Sequence, residues 1–123
     1  MLFRLFPSKT AKGRHFEQDA ERWLIKQGLS AVARNVRYRG GELDLVMRDG
    51  PLWVFVEVKY RQQQGFGGAH HAISQAQQQR LWQSARRYLA QQGLNEWDCQ
   101  CRFDVMIYQG NQAPLWIKGA FDA

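Results

Sequence analysis

Asp44, Glu57 and Lys59 are the residues of this chain whose types could do chemistry together. All three stand in one stretch, GELDLVMRDGPLWVFVEVKYR, from Gly41 to Arg61. Two carboxylates held close enough share a hard divalent cation through oxygen ligands. An ammonium beside them stabilises negative charge that builds up during a reaction. The chemistry such a set suits is metal-assisted attack on an anionic substrate.

The elements that must position them are two strands. Glu42 to Arg48 reads as a strand, and Leu52 to Tyr60, rich in β-branched and aromatic residues, reads as the return strand. Asp49-Gly50 between them is a two-residue hairpin signal, because the central residues of such a turn favour positive φ. Pairing the strands about that turn sets Arg48 opposite Pro51, Asp44 opposite Phe55 and Glu42 opposite Glu57. Side chains alternate across a strand. One face then carries Leu43, Leu45, Met47, Leu52, Val54, Val56 and Val58 and is expected to be core. The other carries Glu42, Asp44, Val46, Trp53, Phe55, Glu57 and Lys59. In this register Asp44 and Glu57 are diagonal neighbours, roughly 7–8 Å apart at Cα. Glu42 against Glu57 is a like-charge pair that asks for a cation: a metal, Lys59 or an arginine.

A third carboxylate belongs to a helix. Phe16, Ala20, Trp23 and Leu24 follow helical spacing from about Lys12 to Gln27, and Gly28 is a stop. At about 100° per residue, Glu17 lies about 20° round from Leu24, at the edge of the apolar stripe. Asp19 and Glu21 are expected to look outward. A carboxylate at a core boundary needs a partner. Arg34, Arg37 and the acidic site itself are the candidates.

The chain has 123 residues, with 45% hydrophobic and 13% aromatic content. That is one globular domain with a real core, not a disordered chain. No apolar run reaches the length of a membrane span. MLFRLFPSK is interrupted by Arg4 and Pro7 and is too short for a signal-peptide core, so a cytoplasmic location is expected. Lys plus Arg number 17 against 11 acids, a net charge of +6. With several acids gathered in one site, the rest of the surface is more basic still and suits a polyanion.

Residues 1–12 read as a basic arm, and 61–73 as a mobile loop rich in Gly and Gln that contains Phe66, His70 and His71. Leu29 to Arg39 reads as the first strand. Arg34, Arg37, Arg39 and Arg61 are candidates for phosphate contact, and Phe66 for stacking on a base. Ser74 is a plausible N-cap for a second helix with Leu81, Trp82, Ala85, Tyr88 and Leu89 on its apolar face. Its glutamines, Gln77 among them, are expected to form a solvated face. Cys101 to Tyr108 alternates as a strand, with Asp104 expected to pair with an arginine. Leu115 to Phe121 reads as an edge strand. A zinc site from His70, His71, Cys99 and Cys101 is disfavoured because the adjacent His pair lacks standard ligand spacing, and the cysteines are expected to be reduced thiols. The order helix, three strands, helix, two strands suggests an α/β layered domain with a mixed sheet.

Asp44 followed by Glu57-Val58-Lys59 resembles the D…(D/E)-x-K signature of the PD-(D/E)xK nuclease superfamily. More closely, RNVRYRGGELDL…VFVEVKYR…FG…RFDV resembles the small bacterial YraN-like proteins, relatives of archaeal Holliday-junction resolvases. The resemblance runs from about Gly13 to about Ile107. It implies a restriction-endonuclease-like fold with a mixed sheet of about five strands flanked by helices. It also implies a Mg²⁺- or Mn²⁺-dependent endonuclease acting on branched or structured DNA, and a homodimer. It places Glu17, Asp44, Glu57 and the Val58 carbonyl on the metal, Lys59 beside them as a catalytic residue, and Glu42 in support. Relatives often carry a lysine near Gln77, where this chain departs. A nucleic-acid-binding module without turnover and a protein-interaction domain with a salt-bridged acidic cluster are the alternatives that the residues leave open.

Overall fold

The computed structural model describes residues 11–61, 73–95 and 97–122. Helix α1 spans Ala11–Lys26, followed by β1 (Ser30–Tyr38), β2 (Gly41–Asp49) and β3 (Leu52–Arg61). Helix α2 spans Gln75–Gln91, and β4 (Cys101–Gln109) and β5 (Leu115–Phe121) complete the order. The strands form one mixed sheet in the order β1-β2-β3-β4-β5. Only the β3–β4 pair is parallel, and α2 lies in the connection between them. The elements follow the expected order, and the last strand lies at an edge. The N-terminal arm up to residue 10 and residues 62–72, with Phe66, His70 and His71, fall outside the described residues.

Each helix covers one face of the sheet. Ala20 and Leu24 of α1, both fully buried, pack with Leu45, Met47, Val54, Val56 and Met106. Leu81, Ala85, Tyr88 and Leu89 of α2 pack with Val46, Phe55, Phe103 and Ile107 on the other face. Truncating a buried leucine such as Leu24 costs about 2–5 kcal/mol, so both helices are held by their stripes. Both hairpin faces are therefore core in mid-sheet, including the Val46, Trp53 and Phe55 side. The Ser74 side chain caps α2 by accepting from the Gln77 N–H at 3.1 Å.

The hairpin register differs from the expected one by two residues. Asp49 pairs with Leu52, Val46 with Phe55 and Leu45 with Val56. The turn is thus Gly50-Pro51, not Asp49-Gly50. Closing a two-residue turn after Arg48 would need an N–H from residue 51, and proline has none. Moving the closure to Leu52 supplies that donor. Gly50 then takes the left-handed φ of +61° at the first central position. Asp44 does not face Phe55, and Glu42 does not face Glu57.

A second departure lies next to Asp44. Arg34 pairs with Leu45 and Val36 with Leu43 across β1 and β2. Regular alternation would put all four on one face. Instead Leu45 joins the α1 layer, and Arg34 reaches Glu21 of α1 at 3.4 Å. Val36 and Leu43 join the α2 layer. The alternation resets between the two pairs, where Asn35 holds φ +54° on β1 and Asp44 stands on β2. A left-handed residue breaks the two-residue period of a strand, and asparagine tolerates that conformation better than most. The face expected to carry Leu43 with Leu45 is therefore split.

Candidate functional site

Three carboxylates from two elements meet at this reset. Glu17 of α1 and Glu42 and Asp44 of β2 each offer one oxygen, and these oxygens lie within 4.8 Å of one another. Glu17 and Asp44 are each 2% exposed. At that separation each pair of ionised groups repels by about 3 kcal/mol at an effective dielectric constant of about 20. Such a group persists when a cation or protons offset the repulsion. Oxygen-only donors at this spacing fit a hard divalent ion.

Asp44 also shapes the backbone opposite. The regular β2–β3 ladder extends to Leu45–Val56. Beyond it, the Val58 N–H donates to Asp44 Oδ2 at 2.9 Å. The N–H and C=O of one strand residue point to the same side, so the Val58 carbonyl is directed to the β2 edge as well. A side chain has taken the place of a ladder partner. The space so opened is a pocket of about 210 Å³ lined by Gly41, Glu42, Asp44, Glu57, Gln77, Arg80 and Leu81.

Glu57 and Lys59 lie next along β3, both partly buried. The Lys59 ammonium stands 3.8 Å from Glu57 Oε1. Glu57 thus borders the same pocket as Asp44 and Glu42, across from them on the facing strand. A register shift of two by itself preserves the alternation, so on β2 it is the reset at Asp44 that moves Leu43 to the other face from Leu45.

The expected arginines separate. Arg34 pairs with Glu21, not with Glu17. Arg37 is the cross-strand neighbour of Glu42 and is partly buried. Arg39 is exposed beyond β1, and Arg61 ends β3, where its carbonyl accepts from the Gly110 N–H. Asp19, expected to face outward, accepts a hydrogen bond from the Tyr108 hydroxyl at 2.7 Å. Burial, then the Asp19 carboxylate, pushes the Tyr108 pKa well above the ordinary tyrosine range, so this hydroxyl is a donor.

Asp104 is paired as expected. It accepts from Arg102 Nε at 2.8 Å and Arg102 Nη2 at 2.9 Å, and also from Trp116 Nε1 and the Gly119 N–H. Cys99 and Cys101 form no disulfide.

Two site features escaped the reading of the sequence. Gln77, expected on a solvated face, is partly buried and lines the acidic pocket, and Arg80 one turn later lines it too. Their i, i+3 spacing on α2 was the available signal. Gly41 explains how α2 comes so close. A Cβ there would sit 2.9 Å from Ser84 Oγ and 3.4 Å from the Arg80 carbonyl oxygen.

The five-stranded mixed sheet with a helix on each face is a restriction-endonuclease-like fold. It is similar over 88% of this chain, and 73% of the other, to the solved structure of Archaeoglobus fulgidus Hjc, a Holliday junction resolvase from an archaeal hyperthermophile. The TM-score is 0.56 and the sequence identity 22%. The chain belongs to the uncharacterised protein family UPF0102, which matches residues 16–107. A UPF0102 protein of Aeromonas hydrophila is 51% identical over 117 residues, covering 95% of this chain and 89% of that one. One from Colwellia psychrerythraea is 46% identical, covering 93% and 91%. Among the described residues no helix is long and apolar enough to cross a membrane.

Proposed function

We propose that the protein is a divalent-cation-dependent endonuclease that hydrolyses phosphodiester bonds in branched or structured DNA. One observation carries the reading: the Glu17, Glu42 and Asp44 oxygens lie within 4.8 Å of one another. They do so where the β2–β3 ladder gives way to the Asp44–Val58 contact. The fold it shares with a Holliday junction resolvase and the net charge of +6 point to the same substrate class.

In this reading Asp44 and Glu17, with Glu42 beside them, hold Mg²⁺ or Mn²⁺, and Glu57 and the Val58 carbonyl complete the ligand set from the facing strand. The bound ion supplies Lewis acidity to the phosphate and acidifies water. Lys59 holds its ammonium near Glu57 and stabilises charge that accumulates on the phosphate oxygens. Asp44 keeps the Val58 peptide in place through the hydrogen bond that it already makes. A water oxygen bonds to phosphorus, one sugar oxygen leaves, and the leaving oxygen takes up a proton. A cytoplasmic protein that acts as a homodimer, with each copy cutting one strand, completes the proposal. Arg39 and Arg61, together with Phe66 in the 62–72 segment, are assigned to the DNA around the site.

The test is cleavage of four-way junction, flap, single-stranded and plain duplex DNA with Mg²⁺ or Mn²⁺. Asp44→Asn and Lys59→Ala proteins are assayed alongside. Cutting that needs the metal and is lost in both variants supports the reading. No cutting, or cutting that survives both substitutions, removes the catalytic claim.

A further inference from the structure

A second pocket, of about 420 Å³, adjoins the acidic one. It lies over α2 and is bordered by Tyr38, Gly41, Arg80, Arg86 and Arg87. Gly41 and Arg80 also line the acidic pocket, so the two share a wall. The charge here comes from one helix. The sequence of α2, QAQQQRLWQSARRYLAQ, contains three arginines and no acid.

A solvated helix face would let its arginines spread into water. Two of these are braced on rings instead. The Arg87 guanidinium lies 5.3 Å from the centre of the Tyr38 ring, and that of Arg86 4.8 Å from the centre of the Trp82 ring. A guanidinium attracted to a ring carries several donors, so it can also meet an anion. The Tyr38 ring is itself pinned, since its hydroxyl donates to Gln91 Oε1 at 2.7 Å. Gly40, also in the wall, has no atom within 4 Å of the place where a Cβ would stand, so the backbone there is open to a ligand. From Arg80 to Arg87 the helix rises about 10 Å. That is about three nucleotide steps at the axial rise of one strand.

Resting on the nuclease reading above, we infer that this groove holds the backbone phosphates of the DNA strand that leaves the acidic pocket. Arg80 sits at the junction of the two pockets, and Arg86 and Arg87 continue the track. On β1, Arg34 pairs with Glu21 and lines neither pocket. The contact is to phosphate, so it orients the strand without reading its sequence.

The experiment measures binding of a fluorescein-labelled four-way junction by anisotropy across a range of salt concentrations. Every protein carries Asp44→Asn, so that the DNA stays intact. The parent is compared with Arg86→Gln/Arg87→Gln and with Arg22→Gln, which removes an exposed charge from α1. All the replaced arginines are exposed, and thermal melts check that each protein is folded. The double variant is expected to bind about tenfold more weakly or worse at 0.1 M salt. Its slope of log affinity against log salt should fall by about 0.7–0.9 for each contact removed. Arg22→Gln should stay near the parent. Equal affinity and slope in the double variant and Arg22→Gln would overturn the groove and leave the nuclease reading standing. A parent that binds no DNA would overturn both.

Discussion

Asp104 on the sheet and the cluster of Glu17 from α1 with Glu42 and Asp44 from β2 are acidic groups in different surroundings. Asp104 on β4 receives four hydrogen bonds, two of them from one guanidinium. Glu17, Glu42 and Asp44 gather around one another instead. Burial alone does not separate them, since Asp44 is 2% and Asp104 1% exposed. What differs is that Asp104 is the one carboxylate among its donors, whereas three carboxylates share one space around Asp44, which also accepts from the Val58 N–H. A buried carboxylate surrounded by donors serves the fold, because its desolvation is offset within the protein. Carboxylates gathered within one small space repel one another even where each has a polar partner, a cation lowers that repulsion, and such clusters mark functional sites.

Substitutions can break this comparison or sharpen it. The largest effect is expected at Asp44. Asp44→Asn keeps an oxygen for the Val58 N–H and removes one charge from the cluster. DNA cleavage should fall about 10³-fold or more, as for loss of a central electrostatic group. The melting temperature without metal should hold or rise. A large drop in stability would put Asp44 in the same class as Asp104.

Next in size is Asp104→Ala. Breaking a buried pair by removing one partner costs about 3–5 kcal/mol. Urea unfolding should show that loss, and metal-induced stabilisation of the folded variant should persist. An Asp104→Ala protein as stable as the parent would contradict the assignment of this cluster to the fold.

Gly41→Ala tests the wall that the two pockets share. Its Cβ would meet Ser84 Oγ at 2.9 Å, and overpacking of this kind costs about 1–3 kcal/mol. Adding Ser84→Ala should recover part of the loss in a thermal melt, because it removes the nearest atom.

The smallest effect is expected at the Tyr108–Asp19 bond, a contact outside both clusters. Tyr108→Phe should cost about 1 kcal/mol at neutral pH. The folded-state pKa of Tyr108 is raised above the ordinary 10.0. Its contribution is therefore complete below about pH 10 and is lost as pH rises above that, because the unfolded chain releases the proton first. The parent should lose stability above about pH 10, and Tyr108→Phe should lose less. Parallel curves would remove Tyr108 as the cause.

The sequence makes the parts of this molecule legible more readily than their alignment. Helical and strand periods place all seven elements, because each buries an apolar stripe or face. Asp104 is readable as a structural acid because Arg102 stands two residues before it on one side of a strand. The hairpin register is not, since one missing N–H at Pro51 outweighs the Asp49-Gly50 signal. The place of Leu43 depends on Asn35 adopting a left-handed conformation, which a hydrophobic pattern does not encode. The grouping of Glu42 with Glu17 and Asp44 follows from that local reset. Gln77 looks like part of a solvated helix face until Gly41 lets α2 approach the sheet. Within the candidate site, the sequence shows the residue types, and the strand irregularity shows which of them meet.

A divalent-cation site formed by the Glu17, Glu42 and Asp44 cluster should bind Mn²⁺ in solution. Calorimetric titration of Mn²⁺ into the parent, Asp44→Asn and Asp104→Asn tests it most directly. Saturable binding is expected for the parent, retained in folded Asp104→Asn and lost in Asp44→Asn, with a matching rise in melting temperature for the proteins that bind. No binding to the parent, or equal binding after Asp44→Asn, would contradict it and leave the cluster a charge network of the fold.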